Sequence, residues 1–569
     1  MSEEILYDRL LKAFQAQKMD GGFVLSGRGH TRAAAKCSVT HNGRDTAAWY
    51  ACGRMNTWFD EDPLDMLEAI ESLQDTDPAS PRFGCMRWYA EEPFIEDTNG
   101  AFFVQMPLAV FMTVYPARPH PEEREILMRI LGRGAHWFAR ETEHGPMHYS
   151  NKILSDGAMT LALSHITDND ELYRKGVAFF ERWLRFTREN GWGWGENLSI
   201  GYNAVILSAL ELARRSFAPA EAAMAAEIQA LMDEQCELFR FFDGHELTPA
   251  IRNYNYAGEE KIRSPVFNLA GVAGNGLEDL PVSAWDASTL LALFMEDKMY
   301  YADRDLARMG LARKLPVPRS RVTHVWKENE ATSWIGHGGS IGTLNNFPVY
   351  PDCYQHKTWG LGWQCMPLNA VVYGAGVLYV RWVVEGDGWT RIHPKHCYLS
   401  PALFEGDEPY PAVRTRSRQA ENAALTFRVM QGVDRAAARI SDEWYIPPCA
   451  ADAGIREENG FTCVMYPKAA LLIRPLAGGT LERVNDEDGA IRLRVVRAES
   501  AEQHIRAEEI ASGWVTVFCD GGDPLALARE LTVTEEIVRA PHFSDRVRLT
   551  RGGEELLAWD FDITEPSVL

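Results

Sequence analysis

The sequence predicts a multidomain α+β protein: a series of helical hairpins, then antiparallel β-sandwich structure. Three observations predict it. Apolar residues recur with a helical period through the first 314 residues. Leu315-Pro316-Val317-Pro318-Arg319 then breaks any helix, because proline lacks the backbone donor and restricts the residue before it. Beyond that point the apolar period shortens to two, with turn residues at close intervals. The domains expected are residues 1–318, helical, and residues 319–569, β-sandwich, with room for a small terminal β subdomain.

The helices follow in order. Residues 3–17 read as the first and 62–74 as a short second. Pro121 opens the next, with Glu122 and Glu123 suited to the positive end of its dipole. Ile126, Leu127, Ile130, Trp137 and Phe138 make its apolar stripe. A helix over 152–165 precedes another capped by Asp168-Asn169-Asp170, with Leu172, Phe179, Phe180, Trp183 and Phe186 on one face. Two more follow Tyr202 and Pro219, and further helices are expected over 283–298 and 300–314. Such hairpins close into a ring or stack as a solenoid, and the sequence shows no fixed repeat that selects the solenoid.

In the second half, strands are expected over 371–384, 425–429, 461–466, 470–474, 491–496 and 514–518. Residues 485–489 and 551–553 read as hairpin connections. The absence of helices long enough for parallel crossovers makes the sheets antiparallel. Asp434, Asp442-Glu443 and Glu457-Glu458 read as solvated edges and turns.

Bulk properties narrow the function. With 46% hydrophobic and 24% charged residues, the 569-residue chain reads as a soluble globular protein. Its formal charge of -22 argues against nucleic-acid binding, which needs positive surface. It is compatible with a small acidic substrate met by local arginines. No apolar stretch is long enough to span a bilayer. The acidic N-terminus lacks the pattern of a secretory signal, so a cytoplasmic location is expected. The ten cysteines include no CxxC pair and read as reduced, buried thiols. No cofactor and no metal are expected, and a homo-oligomer is left open.

Four segments concentrate chemistry. Glu143-His144-Gly145-Pro146-Met147-His148-Tyr149-Ser150-Asn151 carries two histidines four apart, but Gly145-Pro146 between them disfavours the continuous helix that metal ligation needs. Trp192-Gly193-Trp194-Gly195-Glu196-Asn197 combines flexible backbone with flat aromatic faces on which sugar rings stack, and it leads into a helix carrying Tyr202 and Asn203. Asp243-Gly244-His245 precedes Arg252-Asn253-Tyr254-Asn255-Tyr256, where an arginine beside tyrosines suits carboxylate recognition and proton transfer. In the β half, His337 and the run Tyr354-Gln355-His356-Lys357-Thr358-Trp359 are candidates for a cleft at the domain seam. Each segment also reads as ordinary loop packing.

This combination resembles the toroid-plus-antiparallel-β polysaccharide lyases, the group of heparinase II/III-like and chondroitin AC-type enzymes. The resemblance covers most of the chain in organisation and implies an (α/α) toroid followed by β-sandwich domains. It implies Asn197, His245 or His144, Tyr254 or Tyr256, and Arg252 as catalytic residues. Trp192, Trp194, Glu196, Tyr202, Asn203, His148, His337, His356 and Trp359 are the candidates for substrate binding. Two motifs depart from the family: His245 stands where serine is usual after Asp-Gly, and Tyr254-Asn255-Tyr256-Ala257-Gly258 replaces Tyr-x-Gly-x-Tyr-Gly. The implied reaction is β-elimination on an acidic oligosaccharide or polysaccharide containing uronic acid, giving an unsaturated uronate end. The competing enzyme reading is a glycoside hydrolase using two of Glu143, Asp156 and Glu196. Their carboxyls would then lie about 5–5.5 Å apart for retention or about 6.5–9.5 Å for inversion. A noncatalytic carbohydrate-binding protein is the third reading, and would need the tryptophans alone.

Overall fold

A closed ring of helices organises the first half. The computed structural model describes residues 3–191, 195–253, 255, 257–260, 283–290, 315–349, 365–391 and 412–565. Helix α1 (Glu3–Gln15) precedes a small antiparallel sheet of β1 (Met19–Asp20), β2 (Phe23–Ser26) and β3 (Thr40–Asn42). Then follow α2 (Gly43–Asn56), α3 (Leu64–Glu71), α4 (Gly100–Val114), α5 (Pro121–His144) and α6 (Ser150–Ile166). After them come α7 (Asp170–Glu189), α8 (Ile200–Ser216), α9 (Ala222–Phe241) and α10 (Ala284–Leu290). Helix α2 packs on α4, α4 on α6, α6 on α8, α8 on α10, and α10 returns to α2. Helices α3, α5, α7 and α9 lie outside this ring against their inner neighbours. The arrangement is an (α/α) toroid and not a solenoid.

The expected helices at 121, 152, 170, 202 and 219 are all present, and Asn169 caps α7 by accepting from Leu172 N at 3.0 Å. Helices α2 and α4 were not foreseen. Almost every residue of α4 is buried, so its sequence Gly-Ala-Phe-Phe-Val-Gln-Met-Pro-Leu-Ala-Val-Phe-Met shows no polar face. The helix expected over 300–314 lies outside the described residues, as does the end of the one expected over 283–298.

Strand β4 (Arg319–Trp326) opens the second half and is followed by β5 (Asn329–Ile335), β6 (Gly339–Leu344), β7 (Asn346–Phe347), β8 (Leu368–Val372), β9 (Gly376–Gly386) and β10 (Trp389–Arg391). Next come β11 (Ala412–Ala420), β12 (Ala423–Arg435), β13 (Arg439–Ile446), β14 (Gly454–Glu458), β15 (Phe461–Met465) and β16 (Ala469–Leu476). The chain continues through β17 (Glu482–Asn485), β18 (Ile491–Glu499), β19 (Ile505–Asp520), helix α11 (Pro524–Glu530), β20 (Leu531–Val538), β21 (Ser544–Arg551) and β22 (Glu554–Asp562). One sheet runs β17-β18-β13-β9-β8-β6-β5-β4, with β10 on β9. A second runs β14-β15-β16-β19-β12-β11-β7. All pairings are antiparallel.

The two sheets face each other across a core that includes Leu378, Val380 and Trp444 of the first and Leu471, Trp514 and Phe518 of the second. A third sheet, β20-β21-β22, covers the far side of the second, with Phe427 stacked on Phe561 at 4.2 Å. Residues 371–384, expected as one strand, form the end of β8 and most of β9. The turn between them contains Gly374 at φ +80°, a conformation that favours glycine. Asp442 and Glu443 are not solvated as expected. Both are fully buried on β13, where Asp442 meets Arg428 at 2.9 Å and Glu443 meets Arg381 at 2.7 Å. Burial without these partners would be prohibitive.

The seam between the halves is continuous apolar packing. Val325, Ala331, Ile335 and Leu344 belong to the same core as the helical ring. Ala250 and Met366 exchange backbone hydrogen bonds at 3.3 and 2.7 Å.

In the terminal sheet, Asp545 is buried and neither carboxyl oxygen meets a donor among the described residues, while nearby Glu535 accepts from Ala477 N at 2.6 Å. Burial, reinforced by the hydrogen bond with the Glu535 carboxyl, pushes the Asp545 carboxyl up to about 8. The folded state therefore keeps a proton that the unfolded chain releases near pH 4, and stability falls as pH rises through the folded value. Asp545→Asn is expected to flatten the thermal midpoint between about pH 4 and 8. An unchanged slope in a pH series of unfolding scans would refute this origin.

Candidate functional site

Inner-ring helices begin at one end of the toroid, and side chains from their first turns meet there. Asn99 precedes α4, and its Nδ2 donates to Tyr149 Oη at 3.0 Å. Tyr149 in turn precedes α6. Ser199 caps α8 by accepting from Tyr202 N at 3.2 Å, which sets Tyr202 in that helix's first turn. At the starts of α10 and α2, the Trp285 ring lies 5.4 Å from Phe103 and 5.2 Å from the Arg44 guanidinium. Three long inner helices thus direct the partial positive charge of their N-termini toward the same region.

Arg252 holds the centre. Its guanidinium lies 4.2 Å from the Tyr202 ring centre and 5.4 Å from that of Tyr149. Nη2 donates to Tyr202 Oη at 3.0 Å, and Nη1 donates to Glu196 Oε1. Glu196 also accepts from Asn151, from the backbone N at 3.0 Å and from Nδ2 at 2.8 and 2.9 Å. Arg252 and Glu196 are both at most 2% exposed, so each neutralises the other out of contact with water. Arg252 sits at φ +51°, its carbonyl accepts from Ser199 Oγ at 3.0 Å, and its backbone N donates to Cys365 Sγ at 3.3 Å. That last contact ties the site to the β half.

Asn197 lies one residue from this network and crosses the seam, donating from Nδ2 to His324 O at 2.7 Å. Its own carbonyl accepts from Asn203 at 2.8 Å and Gln235 at 3.0 Å, and its Oδ1 is buried with no partner among the described residues. Beside it, a cleft of about 350 Å³ lies between α9 and β4, walled by Leu231, Leu238 and Val322.

The structure thus brings together Asn197, Glu196, Tyr202, Asn203 and Arg252. It directs other sequence candidates elsewhere. His245 bonds Glu260 at 2.6 Å and stacks on Tyr373 at 3.7 Å, away from the Arg252 contacts. His144 is the exposed last residue of α5, and His148 is half-buried in the following turn. His337 is exposed on the β5–β6 turn, where its backbone N donates to Asp520 at 2.8 Å. Trp192, Trp194, Tyr254, Tyr256, His356 and Trp359 lie outside the described residues. Sequence reasoning missed Asn99 altogether and did not separate Tyr149 and Asn151 from their segment. The one signal was their position directly before or within apolar runs that have no polar face.

The carboxylates of the hydrolase reading are dispersed among separate cations. Glu143 is exposed and meets Lys175 at 2.9 Å. Asp156 meets Lys152 at 2.6 Å, and burial raises its carboxyl to about 6. Glu196 belongs to Arg252. Among the described residues, three ligand atoms at metal-like spacing meet at Asp62, His120 and Glu123. Glu123 is already taken there by Tyr50 Oη at 3.0 Å and Arg54 Nη2 at 2.9 Å. No helix among the described residues is long and apolar enough to cross a membrane.

No family model and no curated protein matches this chain. Among solved structures it is similar to heparinase III, at 9% identity and a TM-score of 0.45, over 91% of this chain and 82% of that one. It is similar to heparan sulfate lyase HepC from Pedobacter heparinus, at 11% identity and a TM-score of 0.33, over 99% and 90%. It is also similar to endoglucanase CelQ from Clostridium thermocellum complexed with cellotriose, at 9% identity and a TM-score of 0.27, over 97% and 84%.

Proposed function

We propose that this chain is a polysaccharide or oligosaccharide lyase that cleaves a uronic-acid-containing glycan by β-elimination. The observation that supports this best is the pair of half-buried tyrosines, Tyr149 and Tyr202, flanking one guanidinium with a polar donor on each phenol oxygen. Elimination needs a base for the C5 proton, an acid for the departing O4, and neutralisation of the carboxylate between them. Tyr202 fits the base role, because the Arg252 donor at its oxygen stabilises the negative charge it carries after deprotonation. The C5–H electrons form the C4=C5 double bond, the C4–O4 bond breaks, and O4 takes a proton from a phenol. Tyr149 is the described candidate for that acid. Tyr254 and Tyr256 keep the candidacy their sequence supports.

Arg252 is not a free carboxylate clamp, since Glu196 already balances it. Neutralising the uronate falls instead to the N-termini of α4, α6 and α8 and to nearby amide donors, Asn197 among them. The dispersal of Glu143, Asp156 and Glu196 among separate cations weighs against the paired-carboxylate alternative.

Incubation with a panel of uronate oligosaccharides is expected to yield the ultraviolet chromophore of an unsaturated uronate, one per bond cleaved. New reducing ends without that chromophore would mean hydrolysis and sink the proposal.

A further inference from the structure

A second concentration of cationic side chains lies on the β half, far along the sequence from the helical ring. Strand β11 reads Ala-Val-Arg-Thr-Arg-Ser-Arg-Gln-Ala, and its alternate residues divide sharply. Thr415 and Ser417 face inward: Thr415 Oγ1 accepts from Arg428 at 3.4 Å and Ser417 Oγ bonds Thr426 Oγ1 at 2.9 Å. Arg414, Arg416 and Arg418 therefore share the opposite face, at about 7 Å intervals along the strand. That face turns toward β22 of the terminal sheet. Arg416 lies 5.7 Å from the Phe561 ring, and Arg418 lies 5.2 Å from the Trp559 ring.

Within this angle is a cavity of about 180 Å³ lined by Asn345, Asn346, Arg416, Ser417, Arg418 and Trp559. Two features favour a ligand there. Arg414 and Arg418 pair with no carboxylate among the described residues, in a chain whose net charge is -22. Arg416 meets Glu565 through Nη2 at 3.1 Å, yet its buried Nη1 has no partner among the described residues. Trp559 is 3% exposed and walls the cavity with its ring; its indole N–H has no partner among the described residues, as is also true of Trp382 and Trp444.

We infer that Arg414, Arg416, Arg418 and Trp559 form an accessory binding site for an acidic oligosaccharide, separate from the helical ring. Guanidinium groups at strand spacing meet successive carboxylate or sulfate groups, and Arg is the side chain suited to both. The unpaired donors supply hydrogen bonds to sugar oxygens in a cavity with room for a single acidic residue. The net charge disfavours nucleic acid as the occupant. The choice of a glycan rests on the reading of the ring as acting on uronates.

Calorimetric titration of the full chain tests this, in a Tyr202→Phe background that limits turnover. The probes are an unsulfated hexauronate, a sulfated uronate hexasaccharide and inorganic sulfate. Two binding events are expected for at least one hexasaccharide, and Arg414→Ala with Arg418→Ala should weaken one of them about tenfold or more. Arg506→Ala, at an exposed arginine on β19, serves as the charge control and should leave both unchanged. Isotherms unaltered by the β11 substitutions overturn the site, as does binding of sulfate without either hexasaccharide. If binding depends on β11 but no uronate is ever cleaved, the elimination reading fails and this site stands.

Discussion

Tyr202→Phe is expected to lower turnover of a uronate oligosaccharide by about 100-fold or more, with little change in thermal midpoint. The substitution removes one oxygen and leaves the ring in the first turn of α8. The lost group is the acceptor of the Arg252 Nη2 bond, so the guanidinium keeps its Glu196 partner and stays balanced. A proton-transfer role predicts a fall in turnover with substrate affinity largely kept, since the phenol acts on the reacting bond. Tyr149→Phe should show a comparable fall if that hydroxyl protonates O4. The double substitution should then cost less than the product of the two, because groups that act in one step are not additive. Near-normal turnover in Tyr202→Phe would remove it from the mechanism and leave Tyr149, Tyr254 and Tyr256 to be tested for the base. Loss of affinity alone would make Tyr202 a substrate-positioning residue.

The outer helices of the ring were legible because each has a wet side. In α7, Leu172, Phe179, Phe180 and Trp183 are buried while Glu171, Glu181 and Arg185 are not, which is the pattern that amphipathic reading detects. Two inner helices, α6 and α8, were read as well from their apolar runs, whereas α2 and α4, with protein on every side, were not. Helix α4 buries Gln105 as fully as Phe102, so it offers no stripe to find. Ring closure was illegible for a related reason: it depends on α10 touching α2, a contact between residues more than 200 apart in sequence. In the β half, hairpin turns at 485–489 and 551–553 were readable from local turn chemistry, whereas sheet order was not. The burial of Asp442 and Glu443 was hidden because their compensating arginines, Arg428 and Arg381, lie on neighbouring strands of two different sheets.

The site was legible in part for the same physical reasons. Glycine- and aromatic-rich turns before α8, and the Arg252 segment after α9, stood out because their composition does not suit a spacer. Spatial partnership did not stand out. Nothing in the spacing of Glu196 and Arg252 announces that one neutralises the other, and this pairing changes the role assigned to each. An arginine read as a carboxylate clamp becomes a fixed donor to the Tyr202 phenol oxygen. The glutamate read as a sugar contact becomes the counter-charge that makes burial of that arginine tolerable.

Glu196→Gln separates the elimination and hydrolysis readings. In the parent chain the carboxylate accepts from Asn151 N, Asn151 Nδ2 and Arg252. A glutamine carries one acceptor oxygen and one donor amide, so at least one of these donors faces an N–H, and the Arg252 charge is left uncompensated. Breaking a buried pair on one side costs about 3–5 kcal/mol. The expected result is a clear drop in thermal midpoint, with turnover retained in part at temperatures where the chain stays folded. If Glu196 were instead the acid or base of a hydrolase, turnover would vanish while the midpoint held, and that outcome would sink the assignment made here. Glu196→Gln combined with Arg252→Met provides the internal check. Removing both charges should recover much of the lost stability, because the penalty arises from the unpaired ion and not from the missing bonds. Turnover should not recover with it, since Tyr202 would then have lost its cationic donor.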